Sequence, residues 1–256
     1  MNEFTGKHVV VTGGVKGIGR ACVDVFIRDG ASVSILDIDP AGANLEAGSA
    51  GQIRFFLCDV SQFSAIENSI SGAIKHFGDI DVLVNNAGVN RYATVTETSE
   101  EEWDFVMNVN LKSAFAASKF AIPSMIKRGG GVVVNVSSVQ AFLSQSQVAA
   151  YTTSKTAMLG LTRSIAVDYG PRIRCVAVCP GTINTPMLQA AIRESPDPDE
   201  VFRECEEMHL VKKVGDPVEV GEFIAFLASS KASFMTGQAF RIDGGLGVSV
   251  GGSKRA

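Results

Sequence analysis

Six short apolar runs, separated by longer segments with helical spacing, constrain the fold of this chain more than any other feature. Such runs, bounded by turn residues, are typical of strands that are buried on both faces of a sheet. Strands that alternate with helices favour a parallel sheet with helices on both faces. The runs are HVVVT (8–12), SVSILD (32–37), IRFFLCD (53–59), DVLVNN (81–86), GVVVNVSS (131–138) and IRCVAVCP (173–180).

Length and composition fit one ordinary globular domain. The chain has 256 residues, of which 46% are hydrophobic and 20% are charged, so it can bury a substantial core. The net charge is −4 and the basic residues are scattered, which argues against a nucleic-acid partner. No apolar run approaches the roughly 18 residues of a membrane span, and the N-terminus does not resemble a leader. We therefore expect a cytoplasmic protein with no membrane partner.

The cysteines predict buried thiols rather than a metal site. There are five of them, an odd set without CxxC spacing, as expected in a reducing compartment. Cys175, Cys179 and His209 could suggest a ligand cluster, but the two cysteines lie within one apparent strand and no second ligand pair accompanies them. We predict that the protein holds no metal.

The first apolar run leads into TGGVKGIGR, a glycine-rich turn that precedes an amphipathic segment. Glycines at a strand-to-helix turn let the backbone approach a pyrophosphate, which then rests on the amides of the helix N-terminus. The TGxxxGxG spacing is a weak signal alone, and its place between a strand and a helix strengthens it. We predict a dinucleotide-binding turn formed by Gly13, Lys16, Gly17, Ile18 and Gly19.

Charges near this turn bear on the choice of dinucleotide. Asp37 ends the second predicted strand, where an acidic side chain accepts hydrogen bonds from the adenosine ribose and repels a 2′-phosphate. Lys16 argues the other way, because a cation in the turn could pair with that phosphate. Both residues could also be solvated loop charges. Since Asp37 would meet the ribose hydroxyls directly, we predict NAD rather than NADP.

Later strands end in residues suited to the same ligand, because an open parallel sheet presents its crevice at the carboxyl ends of its strands. Asp59 ends the third run and could contact the adenine edge, with Val60 beside it. The fourth run ends in a tight turn without bulky side chains, which would let a cofactor lie close overhead. That turn contributes Asn86, Ala87 and Gly88.

The segment YTTSK (151–155) places a tyrosine and a lysine four residues apart. Positions i and i+4 share one face of a helix, so Tyr151 and Lys155 could form an acid–base pair. Ser138 closes the fifth run thirteen residues before Tyr151, and Asn110 lies in a long predicted helix upstream. The sheet end and the helices could thus deliver four polar groups to one crevice.

With these motifs in place, the sequence resembles the short-chain dehydrogenase/reductase family over almost its whole length. The motifs that carry the resemblance are TGGVKGIG, CDV, NNAG, the Asn of NVNL, SS, YTTSK, CPG with TINTP, and a final IDGG. The resemblance implies a single doubly wound Rossmann-type α/β domain, residues 1–256, with a seven-stranded parallel sheet flanked by helices.

The resemblance also implies how the site residues act. Tyr151 would exchange a proton with the substrate while the cofactor exchanges a hydride. Lys155 and the nicotinamide cation would favour the phenolate, and lowering a tyrosine pKa by about three units corresponds to roughly 4 kcal/mol. Ser138 would hold the substrate oxygen, and Asn110 would fix a water that joins Lys155 to solvent. Spacing to Tyr151 favours Ser138 over Ser137.

The resemblance implies that a turn after the sixth run passes beneath the nicotinamide. It also implies that residues of this turn bind the carboxamide of the nicotinamide. The predicted contacts are Pro180, Gly181, the backbone of Ile183 and the hydroxyl of Thr185.

Residues 182–215 break the alternation of strands and helices. They form a polar segment that contains prolines, which we call the excursion. Long excursions in compact folds are often lids or binding loops, although a plain surface insertion is the alternative. Near the reacting carbon we predict Ser138 and Tyr151 as substrate contacts, joined by polar side chains that suit a polyhydroxylated small molecule. These are Gln140 and Gln147, with Gln145, Asn90 and Arg91 nearby.

Several functions stay open from the sequence. The motifs predict an NAD-dependent dehydrogenase that acts on a secondary alcohol or a sugar hemiacetal, with a short hydroxy-acid dehydrogenase as an alternative. An NADPH-dependent ketone reductase is disfavoured by Asp37. A catalytically idle dinucleotide-binding regulator would usually have lost Tyr151 or Lys155, and both are present.

The last predicted strand would form an edge of the sheet, which must be covered or paired. Family members commonly pair this strand across a two-fold axis, so the resemblance implies a homotetramer. A tail at 246–256 follows IDGG. It could be a frayed terminus, or it could cross the subunit interface and help to close a neighbour's substrate pocket.

Overall fold

A computed structural model describes residues 3–248 of the chain as one domain built on a single sheet. The seven strands are all parallel and lie in the order β3-β2-β1-β4-β5-β6-β7. The strands are β1 (His8–Thr12), β2 (Ser32–Asp37), β3 (Ile53–Leu57), β4 (Val82–Asn85), β5 (Gly131–Val136), β6 (Ile173–Pro180) and β7 (Ala239–Ile242). The predicted α/β fold is confirmed, with β7 at an edge.

Helices cover both faces of the sheet. They are α1 (Gly17–Arg28), α2 (Gly42–Ala47), α3 (Phe63–Phe77), α4 (Glu100–Met107), α5 (Ser113–Arg128), α6 (Ala149–Tyr169), α7 (Pro186–Arg193), α8 (Pro198–Glu207) and α9 (Pro217–Ala228).

Alternation along the strands divides the core into two layers. Val9 and Val11 of β1 belong to the layer that α1 and α9 cover, whereas Val10 belongs to the layer that α3, α5 and α6 cover. Successive side chains of a strand point to opposite faces, so a strand buried on both sides must be apolar throughout. This explains why the strands read as unbroken apolar runs in the sequence.

Three strands end before the runs that predicted them. β3, β4 and β5 stop at Leu57, Asn85 and Val136, and the polar residues that follow each strand turn towards a cleft. These three strands therefore end just before the polar residues that were predicted for the site.

The long helix predicted before β5 is interrupted. A π-helical turn, Asn108–Lys112, joins α4 to α5 and carries Asn110 at its centre. Hydrophobic spacing reads as one continuous helix across this turn, so the sequence pattern gives no sign of it. Single π-helical turns are frequent at functional sites.

The 182–215 excursion contains α7 and α8, and its two ends meet. Gly215 donates from its backbone N–H to the carbonyl of Thr182 at 2.9 Å, and Asn184 N–H donates back to the Gly215 carbonyl at 2.9 Å. The excursion is therefore a closed loop rooted beside the end of β6. Within residues 3–248, no helix is both long and apolar enough to cross a membrane. Most of the predicted tail, 249–256, lies outside the described residues.

Candidate active site

A cleft of about 1260 Å³ opens at the carboxyl ends of the strands. It is lined by residues that follow each of β1 to β6. Of the residues predicted for the site, all line the cleft except Asn110, Gly19 and Arg91. Those at the wall are Gly13, Lys16, Gly17, Ile18, Asp37, Asp59, Val60, Asn86, Ala87, Gly88, Ser138, Gln140, Gln147, Tyr151, Lys155, Pro180, Gly181, Ile183 and Thr185.

The glycine turn between β1 and α1 has room for nothing larger than glycine. Gly13 and Gly17 have φ angles of +66° and +56°, in the left-handed region that disfavours side chains. A Cβ at Gly13 would lie 2.9 Å from the Cα of Ala87, and a Cβ at Gly19 would overlap the carbonyl oxygen of Gly13. Lys16 provides no side-chain cap for α1, so the first amides of this helix are available to a ligand.

The turn after β4 is tied to the glycine turn by Asn86 and Thr12. The Asn86 amide Nδ2 donates to the carbonyls of Thr12 (3.0 Å) and Gly13 (2.9 Å). The Thr12 hydroxyl accepts from the backbone N–H groups of Asn86 (3.0 Å) and Ala87 (3.1 Å). The side chain of Asn86 thus braces the turn, which leaves the backbone of the 86–88 segment to face the cleft. Sequence reasoning missed Thr12.

Asp37 lies at the end of β2 with its carboxylate held by backbone amides. Its two oxygens accept from the N–H groups of Val15 (2.9 Å) and Asp39 (3.0 Å). The Lys16 ammonium lies 2.6 Å from the carboxylate of Asp39. This hydrogen bond raises the pKa of Lys16 and lowers the pKa of Asp39. Asp39, which the sequence analysis did not single out, therefore pairs with Lys16, the cation that would favour NADP.

The other predicted cofactor contacts lie at the ends of β3 and β6. The Asp59 carboxylate accepts from the backbone N–H of Ser61 at 2.9 Å. The Thr185 hydroxyl accepts from the backbone N–H of Leu188 at 3.4 Å, as the N-cap of α7. Its own proton remains available for donation to a carbonyl. A Cβ at Gly17 would lie 3.3 Å from the Thr185 methyl, so the excursion begins against the glycine turn.

Ser138, Tyr151 and Lys155 converge where β5 and α6 meet. The Lys155 ammonium is buried, donates to the carbonyl of Val136 at 2.9 Å, and lies 5.6 Å from the centre of the Tyr151 ring. The backbone N–H of Gln140 donates to the Ser138 hydroxyl at 3.1 Å. Ser137 points away and donates to the carbonyl of Lys155 at 2.7 Å. Of the two serines, Ser138 is therefore the one beside Tyr151.

Burial dominates the electrostatics of this group. It raises the pKa of Tyr151, and a hydrogen bond with Ser138 offsets part of that rise. Burial also lowers the pKa of Lys155 to about 8, because a low-dielectric site penalises the charged form. The protein alone thus keeps the phenol protonated. The residues of the chain alone therefore do not lower the tyrosine pKa as the sequence resemblance implies, and the contribution of a nicotinamide cation stays a prediction.

Asn110 is buried behind Lys155, and its side chain is engaged with the protein. Its Oδ1 accepts from the backbone N–H of Val89 at 2.8 Å, while Nδ2 donates to the Val89 carbonyl (2.9 Å) and to the Ser154 hydroxyl (3.0 Å). A Cβ at Gly88 would lie 3.5 Å from Asn110 Oδ1 and 3.3 Å from Lys155 Nζ. The expected role of Asn110 in holding a water stays a prediction, whereas its observed contacts fix the cleft wall.

Uncharged polar side chains gather at the end of the cleft next to Tyr151. Gln140 donates to the side-chain oxygen of Gln145 at 3.0 Å and accepts from the Thr152 hydroxyl at 3.2 Å. Gln147 is exposed with a φ of +61°, a conformation uncommon outside glycine. Asn90 Oδ1 is buried without a hydrogen-bond partner among the described residues.

Other side chains at this end do not match the sequence expectation. Arg91 is not part of the cleft wall, and its guanidinium lies 5.0 Å from the ring centre of Phe105. Leu246, at the start of the predicted tail, does line the cleft. The described part of the chain holds no group of three or more His, Cys, Asp or Glu residues that could bind a metal ion.

Comparison with known proteins now identifies the family. The profile of a family described as enoyl-(acyl carrier protein) reductase matches residues 13–247. An uncharacterised oxidoreductase from Thermotoga maritima is 40% identical over 248 residues, which cover 95% of this chain and 98% of that protein. The chain belongs to the short-chain dehydrogenase/reductase family of oxidoreductases.

Solved structures of short-chain dehydrogenases/reductases extend the comparison to the fold. An aldohexose dehydrogenase from Thermoplasma acidophilum matches with a TM-score of 0.93 and 40% identity, and covers 100% of this chain and 99% of that chain. A glucose/ribitol dehydrogenase from Brucella melitensis matches with a TM-score of 0.87 and 31% identity, and covers 95% and 98% of the two chains.

Short-chain dehydrogenases/reductases typically bind a nicotinamide cofactor, and the residues present fit one. The glycine turn is a cradle that a Cβ would fill, and the N-terminus of α1 lacks a side-chain cap. Backbone amides and a helix dipole at such a place bind a pyrophosphate. The fit of the cleft to a dinucleotide therefore rests on backbone geometry as well as on family membership.

Proposed function

We propose that the protein is an NAD-dependent dehydrogenase that oxidises a hydroxyl group of a neutral, polyhydroxylated substrate such as an aldose. The observation that carries this proposal is the charge distribution of the cleft. Asp37 stands at the cofactor end. Side-chain amides and hydroxyls line the proposed substrate end, and Glu194 at the end of α7 also lines the cleft. The proposed catalytic residues are Asn110, Ser138, Tyr151 and Lys155.

The preference for NAD over NADP is supported by two carboxylates. Asp37 would accept hydrogen bonds from the adenosine ribose and would repel a 2′-phosphate. Asp39 holds the ammonium of Lys16 at 2.6 Å, so the nearest cation is already paired. Like charges at close range oppose binding by several kcal/mol when they are desolvated. NADP would therefore meet the unpaired negative charge of Asp37, beside a Lys16–Asp39 pair that is neutral overall.

The proton chemistry belongs to the chain's own residues. A bound nicotinamide supplies hydride acceptance beside a positive charge. Tyr151 takes the hydroxyl proton of the substrate, whose oxygen Ser138 holds by hydrogen bonding. The Lys155 ammonium, buried against Val136, stabilises the phenolate electrostatically. Asn110 keeps the wall around Lys155 in place through Val89 and Ser154.

The substrate class follows from what the cleft lacks within the described residues. Its positively charged side chains are Lys16, which pairs with Asp39, and Lys155, which is catalytic in this proposal. A hydroxy acid carries a carboxylate, and planar carboxylates are commonly bound by arginine. Gln140, Gln147 and Asn90 offer both donors and acceptors to sugar hydroxyls. The short hydroxy-acid dehydrogenase is therefore the weaker candidate.

The aldohexose dehydrogenase that shares this fold at 40% identity supports the same choice. The predicted homotetramer rests on the edge position of β7 and remains part of the proposal. The 182–215 excursion would act as the substrate-side wall, since Met187, Leu188 and Met208 line the cleft.

A substrate panel tests the proposal. Purified enzyme would be assayed with NAD and with NADP against aldoses, polyols, secondary alcohols and short hydroxy acids. We expect the highest kcat/KM for an aldose with NAD. Highest activity on a hydroxy acid, or activity with NADP alone, would refute the proposed substrate class or the proposed cofactor, respectively.

A further inference from the structure

His209 is a buried histidine outside the catalytic group, and both of its ring nitrogens have backbone partners. It lies just past α8 with 2% of its surface exposed. Nδ1 is 2.7 Å from the carbonyl oxygen of Cys205, and Nε2 accepts from the backbone N–H of Thr182 at 3.2 Å. A carbonyl can only accept, so Nδ1 carries the proton and the imidazole that makes both bonds is neutral.

The imidazole fits a slot between two glycines at the carboxyl ends of β6 and β7. A Cβ at Gly181 would lie 2.9 Å from His209 Nε2, and a Cβ at Gly244 would lie 3.3 Å from the Cβ and the Cδ2 of His209. Gly181 N–H donates to the carbonyl of Ile242 at 3.0 Å, which joins the two turns. A side chain at position 181 or 244 would therefore crowd the imidazole of His209.

Both backbone polar groups of Thr182 are hydrogen-bonded to residues from the far end of the excursion. Its N–H is bound by His209, and its carbonyl accepts from the N–H of Gly215 at 2.9 Å. The next residues, Ile183 and Thr185, are the proposed contacts for the nicotinamide carboxamide. Fixing Thr182 therefore fixes the start of the segment that would meet the reactive ring.

We propose that His209 is a positioning residue that holds the 182–185 segment in the shape that binds the nicotinamide end of the cofactor. The inference rests on the nicotinamide site of the proposed function. Ordering a segment before binding removes that entropic cost from the binding step. His209 packs against Gly181 and contacts no reacting group. Its effect on cofactor binding would therefore be transmitted through the backbone N–H of Thr182.

Two substitutions separate the two hydrogen bonds of the ring. His209→Asn places an amide nitrogen near the position of Nδ1, so it can keep the bond to Cys205 and lose the acceptor for Thr182. His209→Gln extends to the position of Nε2, so its oxygen can accept from Thr182. His76→Asn, at an exposed histidine of α3, is the matched control.

The measurement compares two ligands of each purified variant by calorimetry. NADH probes the whole site, whereas ADP-ribose has the adenosine, pyrophosphate and ribose parts without the nicotinamide. For His209→Asn we expect the Kd of NADH to rise about tenfold, the range of one lost hydrogen bond. The Kd of ADP-ribose should stay within about twofold. His209→Gln and His76→Asn should bind both ligands as the wild type does.

The opposite results are equally specific. An unchanged NADH affinity in His209→Asn, or equal weakening of both ligands, would overturn the positioning role. If His209→Asn gives no cooperative melt, the same comparison is made with His209→Leu, which also lacks an acceptor for the Thr182 N–H. Unchanged NADH affinity in that variant would overturn the positioning role. If the wild type binds NADPH instead of NADH, the NAD assignment fails. The same comparison with NADPH and 2′-phospho-ADP-ribose still tests His209.

Discussion

The two ends of the cleft are made from different parts of the chain. At the cofactor end, Gly13 and Gly17 bring backbone to the surface, and Asp37 is fixed by two backbone amides. At the substrate end, side chains such as Gln140 and Gln145 hydrogen-bond to one another on loops. A backbone site admits few changes of sequence, whereas a side-chain site can change its ligand by substitution. We therefore propose that the fold sets cofactor binding and that the loops set substrate choice.

The excursion shows the same contrast in its packing. α7 and α8 each bury one side chain, Ile192 and Cys205 respectively, whereas β1 is buried along its whole length. Elements with few buried apolar contacts open at low free-energy cost. We expect the substrate wall to be less stable than the cofactor end, with its roots at Thr182 and Gly215 as the fixed points.

The largest effect is expected where the two ends meet. Tyr151→Phe removes the group that exchanges the proton and leaves the cofactor pocket in place, so kcat should fall by about a thousandfold or more. The Kd of NADH should change by less than about twofold. Steady-state kinetics and fluorescence titration provide the two values. Tyr169→Phe, at the exposed end of α6, should behave as wild type, and a Tyr151→Phe enzyme with more than a tenth of wild-type kcat would contradict the assignment.

Gly19→Ala tests whether the cofactor end tolerates any side chain. The new Cβ would overlap the carbonyl of Gly13, so we expect a loss of about 2–3 kcal/mol in the free energy of unfolding, as for overpacked sites. NADH affinity should fall as well. Gly160→Ala is the control, because nothing lies within 4 Å of its added Cβ inside α6. It should be neutral or up to about 1 kcal/mol more stable in urea unfolding, and equal effects of the two variants would remove the steric argument.

Cofactor preference should shift when the carboxylates are removed. Asp37→Ala removes the ribose acceptor and a repulsive charge, so the ratio of kcat/KM with NAD to that with NADP should fall by about thirtyfold. Adding Asp39→Ala should lower the ratio further, because it releases Lys16 for the 2′-phosphate. Asp24→Ala, which breaks the exposed Arg20–Asp24 pair of α1, should leave the ratio unchanged. A wild-type enzyme that prefers NADP would show that Lys16 outweighs Asp37.

The smallest effect is expected at the substrate end, where one contact among several is lost. Gln140→Ala should raise the KM for the sugar by about tenfold, the value of one or two hydrogen bonds. The Kd of NADH should not change, because we propose Gln140 as a substrate contact and not as a cofactor contact. Steady-state kinetics at saturating NAD check the first value. A raised Kd for NADH would show that the two ends are not separable.

The fold and the cofactor end could be predicted from the sequence because backbone rules set them. Strands buried on two faces read as apolar runs, and a strand-to-helix turn with glycines at Gly13, Gly17 and Gly19 has few other uses. The serine beside Tyr151 could also be chosen by spacing, since Ser138 hydrogen-bonds with Tyr151 whereas the Ser137 hydroxyl donates to the carbonyl of Lys155.

Other features depend on contacts between residues far apart in the chain. The π-helical turn around Asn110 is invisible to hydrophobic periodicity, since the sequence before β5 reads as one long helical segment. The bond between His209 and Thr182 joins two ends of a long excursion, and nothing in the local sequence shows that these ends meet. The pairing of Lys16 with Asp39 depends in the same way on how two loops approach.

Hydride transfer from the substrate to the cofactor can be followed through a single hydrogen atom. The enzyme would be incubated with NAD and with an aldose that it oxidises, labelled with deuterium at the anomeric carbon, and the cofactor product would be examined by NMR and mass spectrometry. We expect deuterium on the nicotinamide ring of the reduced cofactor, and almost none of this product from Tyr151→Phe. Reduced cofactor without deuterium, or oxidation of the sugar without cofactor reduction, would contradict the proposed hydride transfer.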